Sequence, residues 1–196
     1  MTITNSLSLV MHRVGQALDR GAMRVWEWDA EMMDAVSAAR VLRHLDLFLV
    51  VATYLGYGYL WAALALALMA FGTRADETSV LVGLGVGIVT VCLSQAMKSL
   101  GGRPRPSFHR RGFHRQFLST VSFPSLHTAV AFAMAYLVVQ FYPWWPNVAV
   151  IYTIATLIGL SRVYLREHFP LDVLGGAVLG TWVSYGLLPL FARLVQ

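Results

Sequence analysis

The run Ser161-Arg162-Val163-Tyr164-Leu165-Arg166-Glu167-His168-Phe169-Pro170-Leu171-Asp172 sets a serine, two arginines, a glutamate, a histidine and an aspartate between two long apolar stretches. A charge held near lipid costs a few kcal/mol unless it is paired, solvated or used. Pro170 suits the first position of a helix, which puts His168 just outside that helix and Asp172 in its first turn. A carboxylate one turn from an imidazole can orient it and balance its charge, the usual way a histidine becomes a nucleophile or a base. The competing reading is a charged turn at a membrane surface.

The chain has 196 residues, of which 57% are hydrophobic and only 13% charged, and its mean hydropathy is +0.60. That length suits one domain, and that composition suits a membrane protein and not a soluble one. The formal charge of +5 points to anionic lipid or phosphate as partner. Nucleic acid is not indicated, since no soluble basic domain is present to bind it. The single cysteine, Cys92, sits in an apolar run, which excludes a disulfide framework or a thiolate metal site within one chain.

Five apolar runs, about 45–71, 79–97, 125–142, 147–163 and 171–194, look long enough to cross a bilayer, which needs about 20 residues for ~30 Å of hydrocarbon. The expectation is an all-α integral membrane bundle of about five transmembrane helices over 44–196, preceded by a separate segment over 1–43. In that segment Leu7, Val10, Met11, Val14, Leu18, Ala22, Val25 and Trp26 recur at helical spacing, with Arg13, Gln16, Arg20, Arg24 and Glu27 on the other face. This predicts an amphipathic helix lying on the bilayer surface, anchored by Trp26 and Trp28, with a second short helix over 31–40. An organelle-targeting peptide is the alternative. Gly83 with Gly87, and Gly176 with Gly180 and Ser184, have the small-x-x-x-small spacing of close helix packing. Pro143-Trp144-Trp145-Pro146 predicts a tight interfacial turn.

Two further polar islands flank these runs. Lys98-Ser99-Leu100-Gly101-Gly102-Arg103-Pro104-Arg105-Pro106 follows the second run, and its Gly and Pro residues stop the helix in a cationic loop. Phe123-Pro124-Ser125-Leu126-His127-Thr128 opens the third run, with Ser125 as N-cap and His127 in the first turn, where free N–H groups and the helix dipole favour an anion. Taken singly, each island reads more simply as a basic juxtamembrane loop or a capped helix end. Counting crossings joins them: the end of the second run, the start of the third and the end of the fourth all fall on one membrane face. Lys98, Arg105, Ser125, His127, Arg162, His168 and Asp172 therefore meet there. Three cations can neutralise phosphoryl oxygens without a metal. Two histidines can divide the work, one attacking phosphorus while the other protonates the leaving group.

In order, these stretches resemble the three signature motifs of the type 2 phosphatidic acid phosphatase family of membrane lipid phosphatases. The K-x-x-x-x-x-x-R-P motif is met by Lys98 with Arg105-Pro106, whereas Arg103-Pro104 has the wrong spacing. The P-S-G-H motif is present as Pro124-Ser125-Leu126-His127, and S-R-x-x-x-x-x-H-x-x-x-D is met in full by Ser161-Arg162, His168 and Asp172. The resemblance covers the chain from about residue 45 onward. It implies a phosphohistidine formed on His168 and supported by Asp172, His127 as general acid, and a phosphate cradle of Lys98, Arg105, Ser125 and Arg162. It also implies no metal or other cofactor, and a phosphorylated lipid substrate in the bilayer: polyprenyl diphosphate, phosphatidylglycerol phosphate, phosphatidate or a glycolipid phosphate. The resemblance also implies a site facing away from the cytosol, expected here on the outer side of a bacterial inner membrane, although an Arg-rich face read by charge alone is cytoplasmic.

Leu126 departs from the motif glycine and narrows the place where a ligand approaches the backbone. It resembles the phosphotransferase branch, which moves a phospho-headgroup to an acceptor alcohol. An inactive lipid-binding scaffold is a third possibility. The basic stretch with His109, Arg110, Arg111, His114 and Arg115 is expected either to touch headgroups or to form a solvated lip.

Overall fold

The computed structural model describes residues 2–106 and 121–194. Eight α-helices account for most of it: α1 (Thr2–Ala38), α2 (Arg40–Arg43), α3 (Asp46–Tyr54), α4 (Leu60–Phe71), α5 (Arg74–Gly101), α6 (Leu126–Phe141), α7 (Trp145–Tyr164) and α8 (Pro170–Leu194). Among the described residues there is no strand, only one isolated bridge between Pro104 and Val121. The basic stretch 109–115 lies outside the described residues.

Four stretches are long and apolar enough to cross a membrane: Asp46–Phe71, Arg74–Gly101, Trp145–Tyr164 and Pro170–Phe191. The fifth expected span, α6, has 16 residues, which at 1.5 Å per residue is about 24 Å, short of the ~30 Å hydrocarbon thickness. It is the central helix, packed on α5, α7 and α8. Its alanines explain this position. Ala129, Ala131, Ala133 and Ala135 are all fully buried, and successive alternate residues on a helix point to opposite sides. Ala133 meets Val82, Val86 and Val183 of α5 and α8, while Ala131 and Ala135 meet Ile151, Ala155 and Ile158 of α7.

Between apolar helices in lipid, close approach through small residues does the packing. At Gly180 an added Cβ would lie 1.9 Å from the Ala129 carbonyl oxygen, and at Gly176 2.5 Å from that of Ser125. The Ser184 hydroxyl donates to the Ala133 carbonyl at 3.0 Å. That predicted stripe packs as expected. The Gly83–Gly87 stripe does not: added Cβ atoms there would meet only the Met134 side chain, at 4.0 and 3.6 Å. Methionine reaches across without closing the gap, and these glycines line a cavity.

The expected 45–71 run is long and apolar enough to cross a membrane as Asp46–Phe71, with a wide π-type turn over Leu55–Tyr59 separating α3 from α4. Gly58 adopts φ 99° there, a conformation that disfavours any side chain. The separate short helix expected over 31–40 is absent, since α1 runs unbroken to Ala38. Residues 22–38 contain no Gly or Pro to interrupt it. The second half of α1 packs on α7 and α8, with Ser37 donating to Met33 O at 2.8 Å and Arg166 paired with Asp34.

Candidate active site

The chain ends α7 with a sharp reversal. Arg166 takes φ 57°, so that the N–H groups of Glu167 and His168 both return to the Arg162 carbonyl, at 2.9 and 3.1 Å. A left-handed residue after the last turn is a common way to satisfy terminal carbonyls. The reversal carries His168 back over the end of α7, and Pro170 opens α8 as expected. Asp172 accepts the Phe169 N–H at 2.9 Å, and its Oδ2 lies 3.6 Å from His168 Nδ1. Both side chains are fully buried.

The other two motifs dock against this corner. The Ser125 N–H donates to the Asp172 carbonyl at 2.9 Å, tying the start of α6 to the start of α8. Ser125 occupies the N-cap position, but its hydroxyl pairs with Thr128 Oγ1 at 2.9 Å and not with a backbone N–H. His127 lies in the first turn, its ring edge-on to Tyr57 at 4.6 Å between centroids. Lys98 ends α5 almost fully buried, and Gly102 closes that helix in the left-handed conformation. Arg105 donates to the Glu167 carbonyl at 3.2 Å.

Arg162, with no exposure, pairs with Glu167, while its Nε and Nη1 have no hydrogen-bond partner among the described residues. It also lies 5.9 Å from the Tyr57 ring centroid. Neither ring nitrogen of His168 makes a hydrogen bond of good geometry; its polar neighbours are the Asp172 carboxylate and the Ser122 backbone. Burial first, then the charges of Arg162, Arg105 and Lys98, hold the His168 imidazole well below its usual pKa. The charges of Arg162, Lys98 and Arg105 act on His127 as well, so both histidines share one cationic pocket. All seven residues expected from the motifs thus gather at one end of the bundle.

Several neighbours were not expected from sequence. Tyr57 is placed by the wide turn. Thr53 donates to Ser161 Oγ at 2.8 Å, which in turn donates to Ile158 O at 2.7 Å. Arg103, whose spacing excluded it from the motif, sits behind Asp172 and donates to its Oδ1 at 2.9 Å. Its other Nη reaches Asp29 of α1 at 2.6 Å.

A buried corner of this kind, built from three motifs in chain order at the ends of α5, α6, α7 and α8, defines a class. The chain belongs to the PAP2 superfamily, whose profile matches residues 77–195, more than half of its length. Among solved structures, it resembles a transmembrane PAP2-type phosphatidylglycerolphosphate phosphatase of Bacillus subtilis, with TM-score 0.72, 26% identity and 98% of each chain covered. It also resembles LpxE of Aquifex aeolicus, with TM-score 0.63, 28% identity and coverage of 82% of this chain and 94% of that one. An undecaprenyl-diphosphatase of Sulfolobus acidocaldarius is 29% identical over 133 residues, 66% of this chain and 63% of the relative. The chain spans about three fifths of the length of the curated undecaprenyl-diphosphatases it matches.

Proposed function

We propose that the protein is an integral membrane lipid phosphatase that removes phosphate from a lipid phosphomonoester or diphosphate through a phosphohistidine on His168. One observation carries this reading: a buried imidazole backed by a carboxylate at 3.6 Å and surrounded by three cations on separate elements. Asp172 faces Nδ1, which leaves Nε2 to attack. The Nε2–P bond forms as the P–O bond to the lipid breaks, and His127, protonated once the anionic phosphoryl group has entered and offset the surrounding cations, supplies the proton that the departing oxygen takes up. Water then attacks phosphorus, His127 recovers a proton from it, and the N–P bond breaks to release inorganic phosphate. Lys98, Arg105 and Arg162 offset the charge on the phosphoryl oxygens, with the Ser125 hydroxyl beside them. The Arg162 donors that lack partners face no such deficit once phosphate is bound.

Support for a lipid as the rest of the substrate comes from a cavity of about 480 Å³ whose lining includes Gly58, Trp61, Gly83, Gly87, Val130 and Met134. Val130 lies one turn beyond His127 on α6, and the lining extends from there to Tyr142, although none of the seven motif residues lines the cavity itself. A hydrocarbon chain fits such an apolar slot. Undecaprenyl-diphosphatases among the relatives favour a polyprenyl diphosphate, a phosphatidylglycerolphosphate phosphatase among the structural relatives keeps phosphatidylglycerol phosphate in the panel, and a relative named lipid A 1-phosphatase keeps a glycolipid phosphate there. The exposed Met23, Val25, Trp26, Trp28 and Met32 of α1 suit a segment lying against the bilayer surface.

The test is a panel of these lipids in detergent or vesicles with excess chelator. Phosphate release from at least one, undiminished by chelator, is the expected result. Transfer of the phosphoryl group to an added alcohol in preference to water would instead support the transferase reading raised by Leu126. A second expectation concerns pH. Because the His168 pKa is depressed, protonation that silences it in the free protein begins below the ordinary value of about 6.5. After correction for substrate ionisation, the acid limb of kcat/KM should fall below about pH 6.5. A limb at or above that value contradicts a buried, cation-flanked nucleophile.

A further inference from the structure

Arg103 and Asp29 lie outside the motif residues, yet they tie α1 to the start of α8, with only Nε of the guanidinium lacking a hydrogen-bond partner among the described residues. The Arg103 guanidinium bridges two carboxylates, with Nη1 on Asp172 Oδ1 at 2.9 Å and Nη2 on Asp29 Oδ2 at 2.6 Å. The remaining Asp29 oxygen accepts the Leu171 N–H at 2.9 Å, so Asp29 caps the first turn of α8 from outside that helix. The remaining Asp172 oxygen accepts the Phe169 N–H and faces His168. Phe169 and Trp26 flank the guanidinium at 4.1 and 5.7 Å. Asp29 and Asp172 have no exposure, and the Arg103 side chain retains 11%.

We propose that Asp29, acting through Arg103, is a positioning residue that fixes both the orientation and the effective charge of Asp172, which makes α1 part of the reaction apparatus. This rests on His168 as nucleophile. The charge count gives the reason. Arg103 paired with Asp172 alone would form a neutral couple and cancel most of the carboxylate's influence on the imidazole. A second buried carboxylate on the same guanidinium leaves a net charge of −1 behind His168, where positive charge develops as Nε2 bonds to phosphorus. Arginine suits the task because its planar fork holds two carboxylates in fixed geometry. The two cap bonds to Phe169 and Leu171 lock Asp172 and Asp29 to the same helix start, so the fork cannot slide.

Asp29→Asn tests the idea in the full-length protein, since the amide can keep the Leu171 cap and the packing while removing the charge. The charged and titratable groups around His168 are Asp172 of α8, Arg162 of α7, Lys98 of α5, Arg105 and His127, with Glu167 paired to Arg162. None of them is altered. The expected result is a fall in kcat of about ten- to a hundred-fold, as for other residues that orient a reacting group's partner. KM is unchanged, and the acid limb of the kcat/KM profile moves to lower pH because the imidazole has lost negative charge nearby. Arg103→Gln should move the same limb the other way, since Asp172 then acts without a cation. A purely structural contact would lower the melting temperature and the folded yield, and leave kcat per folded molecule and the pH limb where they were. D29N with wild-type kcat and pH profile, or with a loss confined to KM, overturns the proposal. If D29N does not fold, R103Q carries the test, and an unmoved acid limb in that variant overturns it equally. His168→Asn run alongside separates the two levels: turnover in H168N removes the nucleophile assignment, whereas a dead H168N beside an unaffected D29N removes only the role of Asp29.

Discussion

His168→Ala is expected to lose phosphate release by about ten-thousand-fold or more while still reaching the membrane folded. Loss of a nucleophile removes the covalent route altogether, and the pocket that remains can only bind and polarise the substrate. Folding should survive because the wild-type ring is fully buried with neither nitrogen in a hydrogen bond of good geometry. Truncation leaves a small cavity but also removes two poorly satisfied polar atoms, and these effects oppose each other. The measurements are released phosphate per mole of purified protein and the melting temperature in the same detergent. Substrate binding should persist in the variant, because Lys98, Arg105 and Arg162 are untouched. An alanine variant that turns over at even a tenth of the wild-type rate would remove His168 from the chemistry.

The second large effect concerns the fold. Gly180→Leu is expected to abolish accumulation of folded protein, because even a Cβ at that position would lie 1.9 Å from the Ala129 carbonyl oxygen and 2.9 Å from the Ala133 nitrogen. Both contacts are backbone, so no side chain can rotate away, and α6 must retreat from α8. That retreat reaches the site, since the Ser125 N–H bonded to the Asp172 carbonyl lies at the start of the same interface. Gly186 on the same helix is the control, because a Cβ there meets nothing within 4 Å. Gly186→Ala should yield protein in wild-type amount and activity. Equal yields from G180L and G186A would show that α6 and α8 do not pack through this stripe.

The candidate site was largely legible in the sequence for a physical reason. Its residues sit at helix ends, helix ends are marked by Gly, Pro and Ser, and alternate crossings of a bilayer send those ends to a common face. Lys98, Arg105, Ser125, His127, Arg162, His168 and Asp172 all follow from that reasoning. What escaped it depends on distance along the chain. Asp29 lies 74 residues from Arg103 in sequence, and no local spacing links them. A signal was nevertheless present: Asp29 falls on the apolar stripe that contains Ala22, Val25, Trp26 and Met33, and a carboxylate there must find a partner. Tyr57 carried a comparable sign, a ring between two glycines inside an apolar run. The glycine pair on α5 shows the opposite failure. Gly83 and Gly87 satisfy the packing pattern as well as Gly176 and Gly180 do, but a pattern says nothing of the facing residue. Where that residue is alanine the backbones meet, and where it is Met134 a cavity opens.

The most direct measurement mixes the protein rapidly with a lipid carrying a radiolabelled terminal phosphate, stops the reaction in alkaline denaturant and maps the labelled peptide. A phosphoryl group on nitrogen survives base and is lost in acid. The expected result is acid-labile label on the peptide containing His168, formed no more slowly than steady-state turnover. Label on any other residue, or full turnover with no labelled protein at any time, would contradict transfer through this imidazole.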